Sequence, residues 1–225
     1  MPNKSSIVTS NQLGIHDDLE NKLKKHLTNP FRKPYRPFSA EIFHKANEVI
    51  NNINLPIILD SGCGTGESSL FLSKQYTNAL VVGIDKSEKR LEKFISNENF
   101  FEKDNLILIR ADVIDIWRMI KQSNWNIQKH YLLYPNPWPK KDQLKRRWHG
   151  HPVFPEMLGL CDQIELRTNW QIYAEEFRFA LERVTTKTTS IETINVDQFI
   201  SPFEKKYYES GHELYRVTSK TEQEN

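Results

Sequence analysis

Leu59 to Glu67 reads LDSGCGTGE: an apolar run breaks into glycines at every second position, with an acid on either side. Gly62, Gly64 and Gly66 let the backbone turn sharply and let a ligand approach it without Cβ interference. The spacing differs from the dinucleotide fingerprint G-x-G-x-x-G, and the absence of a following Gly-Lys-Ser/Thr excludes a P-loop. Asp60 and Glu67 would repel a pyrophosphate but suit a cationic amino-acid donor. That favours S-adenosylmethionine, whose ammonium and sulfonium are both positive. The next apolar run ends in GID, placing Asp85 where sheets of this type receive ribose hydroxyls, and the third ends in RAD, placing Asp112 at a carboxyl strand end as well. Any one of these acids alone reads more simply as a turn residue or helix N-cap; together with the glycine turn they form a donor-binding constellation.

A second stretch, HYLLYPNPWPKKDQLKRRW (His130 to Trp148), stops an apolar run at an asparagine held between two prolines. Pro135 and Pro137 restrict the backbone on both sides of Asn136 and so preorganise its amide. Trp138 offers a flat face for a base, and Lys140, Lys141, Lys145, Arg146 and Arg147 could hold phosphates. The plain alternative is an Asx-turn leaving a strand, with Trp138 in the core. His149 and His151 flank Gly150 without further metal-ligand spacing, and read as phosphate contacts or surface. Cys63 reads as a small side chain filling the glycine turn, since no base is paired with it.

The elements that must position these residues follow from periodicity. PIILDSG, ALVVGID, NLILIRAD and HYLLYP are apolar throughout, as strands covered on both faces are. ESSLFLSKQY, KSEKRLEKFISNENF and VIDIWRMIKQ alternate with them as helices, which predicts βαβ units and a mostly parallel sheet. QIELRT, the helix NWQIYAEEFRFALERV, TSIETINV and ELYRVTSK follow, the last pair predicting an antiparallel C-terminal edge. AEIFHKANEVINNI leads into the core as a helix. Residues 1–40 are polar, basic and interrupted by Pro30, Pro34 and Pro37, and read as a mobile N-terminal arm with one short helix near 17–27; residues 41–225 form the main domain.

Composition sets bounds on partners. Net charge is only +2, but residues 21–40 hold six cations and no acid, and residues 140–151 hold five cations beside Asp142. Two such clusters suggest a polyanion footprint, with solvated surface the bland reading of either. No stretch approaches the roughly 20 apolar residues of a membrane span, and the N-terminus lacks the apolar core of a secretory signal. Two cysteines without metal spacing make a reducing cytoplasm the default.

YPNPWPKKDQLKRRW resembles the signature of the tRNA (guanine-N7)-methyltransferase family, whose segment reads Phe-Pro-Asp-Pro-Trp-Pro-Lys-Lys with a short spacer ending Lys-Arg-Arg. LDSGCGTG, GIDKSEKRL and RADV fit that family's cofactor segments in order. RTNWQIYAEEF resembles its Thr-Asp-x-x-x-Tyr-Ala element, and SPFEKKYYESGHELYR its closing element. The resemblance spans about Leu55 to Tyr215. It implies a Rossmann-like class I methyltransferase with helices on both sheet faces, acting on tRNA in the cytoplasm with no metal and no membrane contact. Monomer and homodimer both stay open. It further implies that Asp60, Asp85 and Asp112, around Gly62, Gly64 and Gly66, contact S-adenosyl-L-methionine. Asn136 takes the place of the catalytic aspartate, Lys140 that of a substrate-binding lysine, and Asn169 that of the aspartate after the threonine. Ser201 to Glu204 match the closing substrate loop, and Trp138, Arg146 and Arg147 lie in the RNA-facing block.

Two positions depart from that family in the same direction, aspartate to asparagine. Guanine N7 carries an unprotonated lone pair, so its methylation needs placement, worth about 7–11 kcal/mol as orientation, rather than a general base. The purine becomes positive as the bond forms, and a carboxylate would stabilise it electrostatically. Asn136 keeps hydrogen bonding without the charge, which predicts slower N7 chemistry or a changed acceptor. Methylation of an exocyclic base amine, a non-catalytic RNA-binding paralogue that keeps the donor pocket, and a nucleotide-dependent oxidoreductase are the competing readings.

Overall fold

In a computed structural model describing residues 4–95 and 99–220, the chain separates into two compact units. The first comprises Lys33–Leu133 with Gly159–Cys161, and the second the described residues of 1–32, 134–158 and 162–225.

The first unit is built on β1 (Ile57–Ser61), β2 (Leu80–Asp85), β3 (Phe100–Lys103), β4 (Leu106–Arg110) and β5 (Ile127–Leu133). Their order is β3-β4-β2-β1-β5, parallel except for β3, which runs antiparallel to β4. Every residue of β1 and β2 is buried, so both faces are covered, as the unbroken apolar runs require. Helix α3 (Glu67–Gln75) packs on β1, β2 and β4, whereas α2 (Pro37–Asn51) packs on α5 (Val113–Ile120) and reaches β4. Helix α2 opens at Pro37, because a proline at the first helical position has its φ preset and no N–H to waste. The predicted helix KSEKRLEKFISNENF is largely absent: α4 covers only Glu88–Leu91, and Phe100 already starts β3. In the described part only Leu91 and Ile95 are buried, too small an apolar stripe to hold a long helix; residues 96–98 lie outside the described residues. Asn99 and Asp104 adopt left-handed φ of 56° and 54°, which short amide and carboxyl side chains tolerate, and so bound β3.

The second unit holds α1 (Leu19–Thr28), short 3-10 turns at Lys141–Arg146 and Trp148–Gly150, α6 (Phe154–Leu158), β6 (Gln163–Thr168), α7 (Gln171–Val184), β7 (Thr188–Thr193), α8 (Pro202–Glu209) and β8 (Tyr215–Lys220). Strand β8 runs antiparallel to β7, the C-terminal pair predicted from sequence, and also to β6, which was not predicted. The short helix expected near 17–27 is α1, whose Leu19 and Leu23 are buried one turn apart. Its cations are partly answered locally: Lys22 and Lys24 pair with Asp18 and Glu20 at 2.8 and 3.1 Å. Helix α8 was not anticipated, although its signals are present in Ser201 as N-cap and Pro202 at the first position. No helix among the described residues is long and apolar enough to cross a membrane.

Candidate active site

In the first unit, β1, β2 and β4 are parallel neighbours, so their carboxyl ends carry Asp60, Asp85 and Asp112. The turn after β1 folds back on β2, with Gly62 N and Cys63 N donating to the Ile84 carbonyl at 2.7 and 3.0 Å. Gly62, Gly64 and Gly66 all have left-handed φ (77°, 60° and 80°), which bulkier residues rarely adopt. At Gly66 a Cβ would also meet Leu108 at 2.9 Å. Sequence and structure agree on why glycine stands there.

The three acids differ in what they lack. Asp85 accepts from Gly64 N at 3.0 Å and Ser87 N at 2.8 Å, and so pins the glycine turn. Asp112 caps α5 by accepting from Ile114 N at 2.9 Å, and its other oxygen pairs with the Arg36 guanidinium. The turn-and-cap reading of each acid alone thus describes part of what both do. Asp60 is fully buried. Its Oδ2 accepts from Ser68 and Ser69 hydroxyls at 2.6 and 2.7 Å, while Oδ1 has no hydrogen-bond partner. Burial pushes its carboxyl up to about 6 against the opposing effect of the serine hydrogen bonds. A buried carboxylate oxygen without a donor is costly until something positive meets it, so this donor set fits an ammonium group. The Cys63 thiol, driven well up by burial and then by Asp60, stays protonated and is no nucleophile.

Ser68, Ser69 and Gly83 were missed by sequence reasoning. A Cβ on Gly83 would collide with Ser69, so this glycine within β2 lets α3 come close enough for its serines to reach Asp60. The available signal was a serine pair immediately after the glycine turn.

In the second unit, Tyr134 N donates to the Arg167 carbonyl at 2.8 Å, and the chain then turns through Pro135, Asn136 and Pro137. Tyr134 and Trp138 bracket that turn with φ of 51° and 48°. Left-handed backbone at two aromatic residues costs about 1–3 kcal/mol each and persists only where the surroundings impose it. They do so here. Tyr134 OH donates to Glu204 Oε1 at 2.8 Å, Arg167 donates to the same oxygen at 2.9 Å, and Ile200 N donates to Glu204 Oε2 at 2.9 Å. Ser201 Oγ accepts from Glu204 N at 3.1 Å. Glu204 therefore joins the closing loop to the start of the Asn136 turn, leaving Asn136 exposed.

Trp138 is half-buried rather than in the core, and the Arg146 guanidinium lies over its ring at 4.7 Å. Lys140, Lys141, Lys145 and Arg146 are exposed, consistent with an anion-facing edge. Arg147 departs from its sequence assignment as a substrate ligand. It is fully buried, pairs with Glu176 at 2.5 Å and lies over Trp170 at 4.8 Å, so a phosphate has no access to it. His149, expected at a phosphate or on the surface, is also fully buried and meets Glu176 at 2.8 Å. Gly150 explains the tight packing: a Cβ there would strike the Leu144 backbone. Asn169 Nδ2 lies 2.9 Å from His212 Nδ1, and His212 Nε2 lies 3.1 Å from the Ser5 carbonyl. The Asn169 amide and the Ser5 carbonyl thus hold the His212 ring between them.

The Methyltransf_4 family ("Putative methyltransferase") matches residues 54–217. A protein of Lachnoclostridium phytofermentans named tRNA (guanine-N(7)-)-methyltransferase is 24% identical, over 100% of this chain and 98% of its own length. One of the same name from Staphylococcus epidermidis is 26% identical over 73% of this chain and 80% of its own. Among solved structures, the 16S rRNA methyltransferase KamB aligns with a TM-score of 0.53 at 15% identity, covering 85% of this chain and 98% of that one. An antibiotic-related methyltransferase gives a TM-score of 0.53 at 15% identity, covering 85% and 96%. The structural likenesses show a Rossmann-like α/β methyltransferase fold.

Proposed function

We propose, from the premise that this chain belongs to the Methyltransf_4 family of methyltransferases, that it methylates N7 of a guanine in tRNA in the cytoplasm, with S-adenosyl-L-methionine as donor. The observation that carries the donor half is the buried Asp60 oxygen without a hydrogen-bond partner. The acceptor half is supported by the names of the relatives and by the exposed asparagine turn beside exposed cations.

When bound, the donor supplies an electrophilic methyl group on a sulfonium. Asp60 holds its ammonium, and Asp85 receives the ribose hydroxyls while fixing the glycine turn. Asp112 contacts the donor from the N-cap of α5, on the carboxylate that also pairs with Arg36. Guanine N7 needs no deprotonation, so no general base is required of the chain. The Asn136 amide donates to the O6 acceptor beside N7, Trp138 stacks on a base, and Lys140 and Arg146 hold phosphates. Asn169, Ser201 and Glu204 shape the base site, Glu204 by holding Tyr134 in its strained backbone. Arg147 acts from inside.

The asparagines at 136 and 169 favour one further reading, a tRNA-binding paralogue that keeps the donor pocket and has lost turnover. One experiment separates the two: incubate the protein with labelled donor and bulk tRNA, then identify modified nucleosides by mass spectrometry. 7-Methylguanosine is expected. A different methylated nucleoside would reassign the acceptor atom, and donor and tRNA binding with no product would establish the paralogue.

A further inference from the structure

The described residues of the N-terminal arm have almost no apolar attachment before α1. Leu13 is fully exposed, Ile7 is 74% exposed and Ile15 40%. A segment held by hydrophobic burial would hide such side chains. This one is held by polar contacts to the Trp138–Lys141 loop and to the loop that follows α8. Ser10 Oγ donates to the Pro139 carbonyl at 2.5 Å, Lys141 N donates to Asn11 at 3.4 Å, His16 Nε2 meets the Lys141 carbonyl at 3.1 Å, and Lys141 Nζ pairs with Asp17 at 2.9 Å. At the other loop, Ser5 N donates to Ser210 Oγ at 2.9 Å, and the Ser5 carbonyl meets the His212 ring that holds Asn169.

Gln12 is the one side chain of the segment driven into the interior, 4% exposed beside the exposed Leu13. Its Nε2 donates to Glu176 Oε1 at 2.5 Å, and its Oε1 accepts from Arg147 at 3.1 Å. Arg147 also reaches the inner side of the Pro-Trp-Pro-Lys loop, donating from Nε to the Trp138 carbonyl at 3.1 Å and from Nη2 to the Lys140 carbonyl at 3.3 Å. Gln12 thus shares the coordination of the guanidinium that holds the carbonyls of Trp138 and Lys140. Removing one partner from a buried polar cluster leaves its other groups unpaired, which is costly.

We propose that residues 5–17 are a strap that sets the geometry of the Trp138–Lys141 and Ser210–His212 loops, with Gln12 as its positioning residue acting through Arg147. That the Trp138–Lys141 loop meets tRNA rests on the function proposed above; that the strap sets the order of both loops does not.

The test uses the full chain carrying Gln12→Met, which keeps length and volume but loses all three side-chain hydrogen bonds, to Glu176, to Arg147 and to the Gly14 carbonyl. Hydrogen exchange of the amides of Trp138–Trp148 is expected to rise about tenfold, with those of residues 57–112 unchanged. S-adenosylmethionine affinity is expected to stay within twofold of wild type, while bulk tRNA binds roughly tenfold more weakly, appearing as a raised KM with kcat held. Wild-type exchange at Trp138–Trp148 overturns the proposal, as does a rise spread evenly over both units, the mark of global destabilisation. Should Gln12→Met not fold, Ser10→Ala decides: faster exchange confined to Trp138–Lys141 supports the strap, and none refutes it. If wild type itself binds no tRNA, the functional reading fails while the exchange result still decides the strap.

Discussion

Asp60 in the first unit and Glu176 in the second are both fully buried, yet their carboxyls move in opposite directions. Burial pushes Asp60 up to about 6, because its partners are two neutral serine hydroxyls and one oxygen has none. Burial would raise Glu176 too, but the His149 hydrogen bond and the Arg147 charge bring it down to about 2. Glu176 accepts from four groups of its own chain: Gln12, His16, Arg147 and His149. The strand-end carboxylate keeps one oxygen without a hydrogen-bond partner, while the loop region surrounds its carboxylate with one guanidinium and three neutral donors. A buried acid with a raised pKa and an orphan oxygen marks where a charged ligand belongs; one with a lowered pKa and saturated oxygens marks architecture.

The largest effect expected from breaking this contrast is Glu176→Ala, which strands the Arg147 charge in the interior. Removal of one partner of a buried pair costs about 3–5 kcal/mol, to be read from urea unfolding at pH 7. A loss below about 1 kcal/mol would mean that the cluster behaves like a surface pair and the contrast is wrong.

Asp60→Asn should do the reverse. Stability at pH 7 is expected to be no lower than wild type, since a carboxyl that resists ionisation in the folded state is removed. Donor affinity, measured by calorimetry, falls about 10–100-fold, the worth of a charged hydrogen bond of roughly 1.5–3 kcal/mol. The pH dependence sharpens the same point. The folded pKa of Asp60 is raised from 3.8, so its stabilising influence is fully present below that value and is lost as pH rises to about 6. Glu176 is lowered from 4.5, so its contribution is present above 4.5 and is lost as pH falls towards about 2. Wild type should therefore bind the donor more weakly as pH drops through about 6, whereas Asp60→Asn should bind with little pH dependence. An equal slope in both proteins would remove Asp60 from the donor site.

A smaller gain is expected from Asn136→Asp. Placing a carboxylate beside the developing positive charge should raise turnover on tRNA about tenfold, or 1.4 kcal/mol, with donor affinity unchanged; a fall in turnover would show that the amide is the working group. The smallest effect concerns the exposed Arg146. Arg146→Ala should lower the slope of log tRNA affinity against log salt by about 1, with stability within about 0.5 kcal/mol. Identical slopes for wild type and Arg146→Ala would take Arg146 off the phosphate edge.

Much of the strand-end region was readable because its signals are local. Glycines at alternating positions after an apolar run, and an acid ending each of three such runs, are patterns a few residues long that parallel pairing then lines up. The turn at Asn136 was readable for the same reason, since prolines on either side constrain only their neighbours. Arg147 was misassigned because a KRR run looks the same whether its last side chain points out or in. Its direction depends on Glu176, Gln12 and Trp170, none of them near it in sequence. The stretch before β3 was read as one helix because charges at helical spacing were counted without asking how few apolar groups they would bury.

The amino-acid sequence by itself determined the central parallel strands, the glycine turn, the three strand-end acids and the proline-flanked asparagine turn, because covalent geometry and short-range periodicity suffice for those. Tertiary structure alone decided which carboxylate stays incomplete, which arginine faces solvent and what holds the N-terminal segment. Those outcomes depend on desolvation and on hydrogen bonds between residues far apart in the chain, and neither exists until the chain has folded.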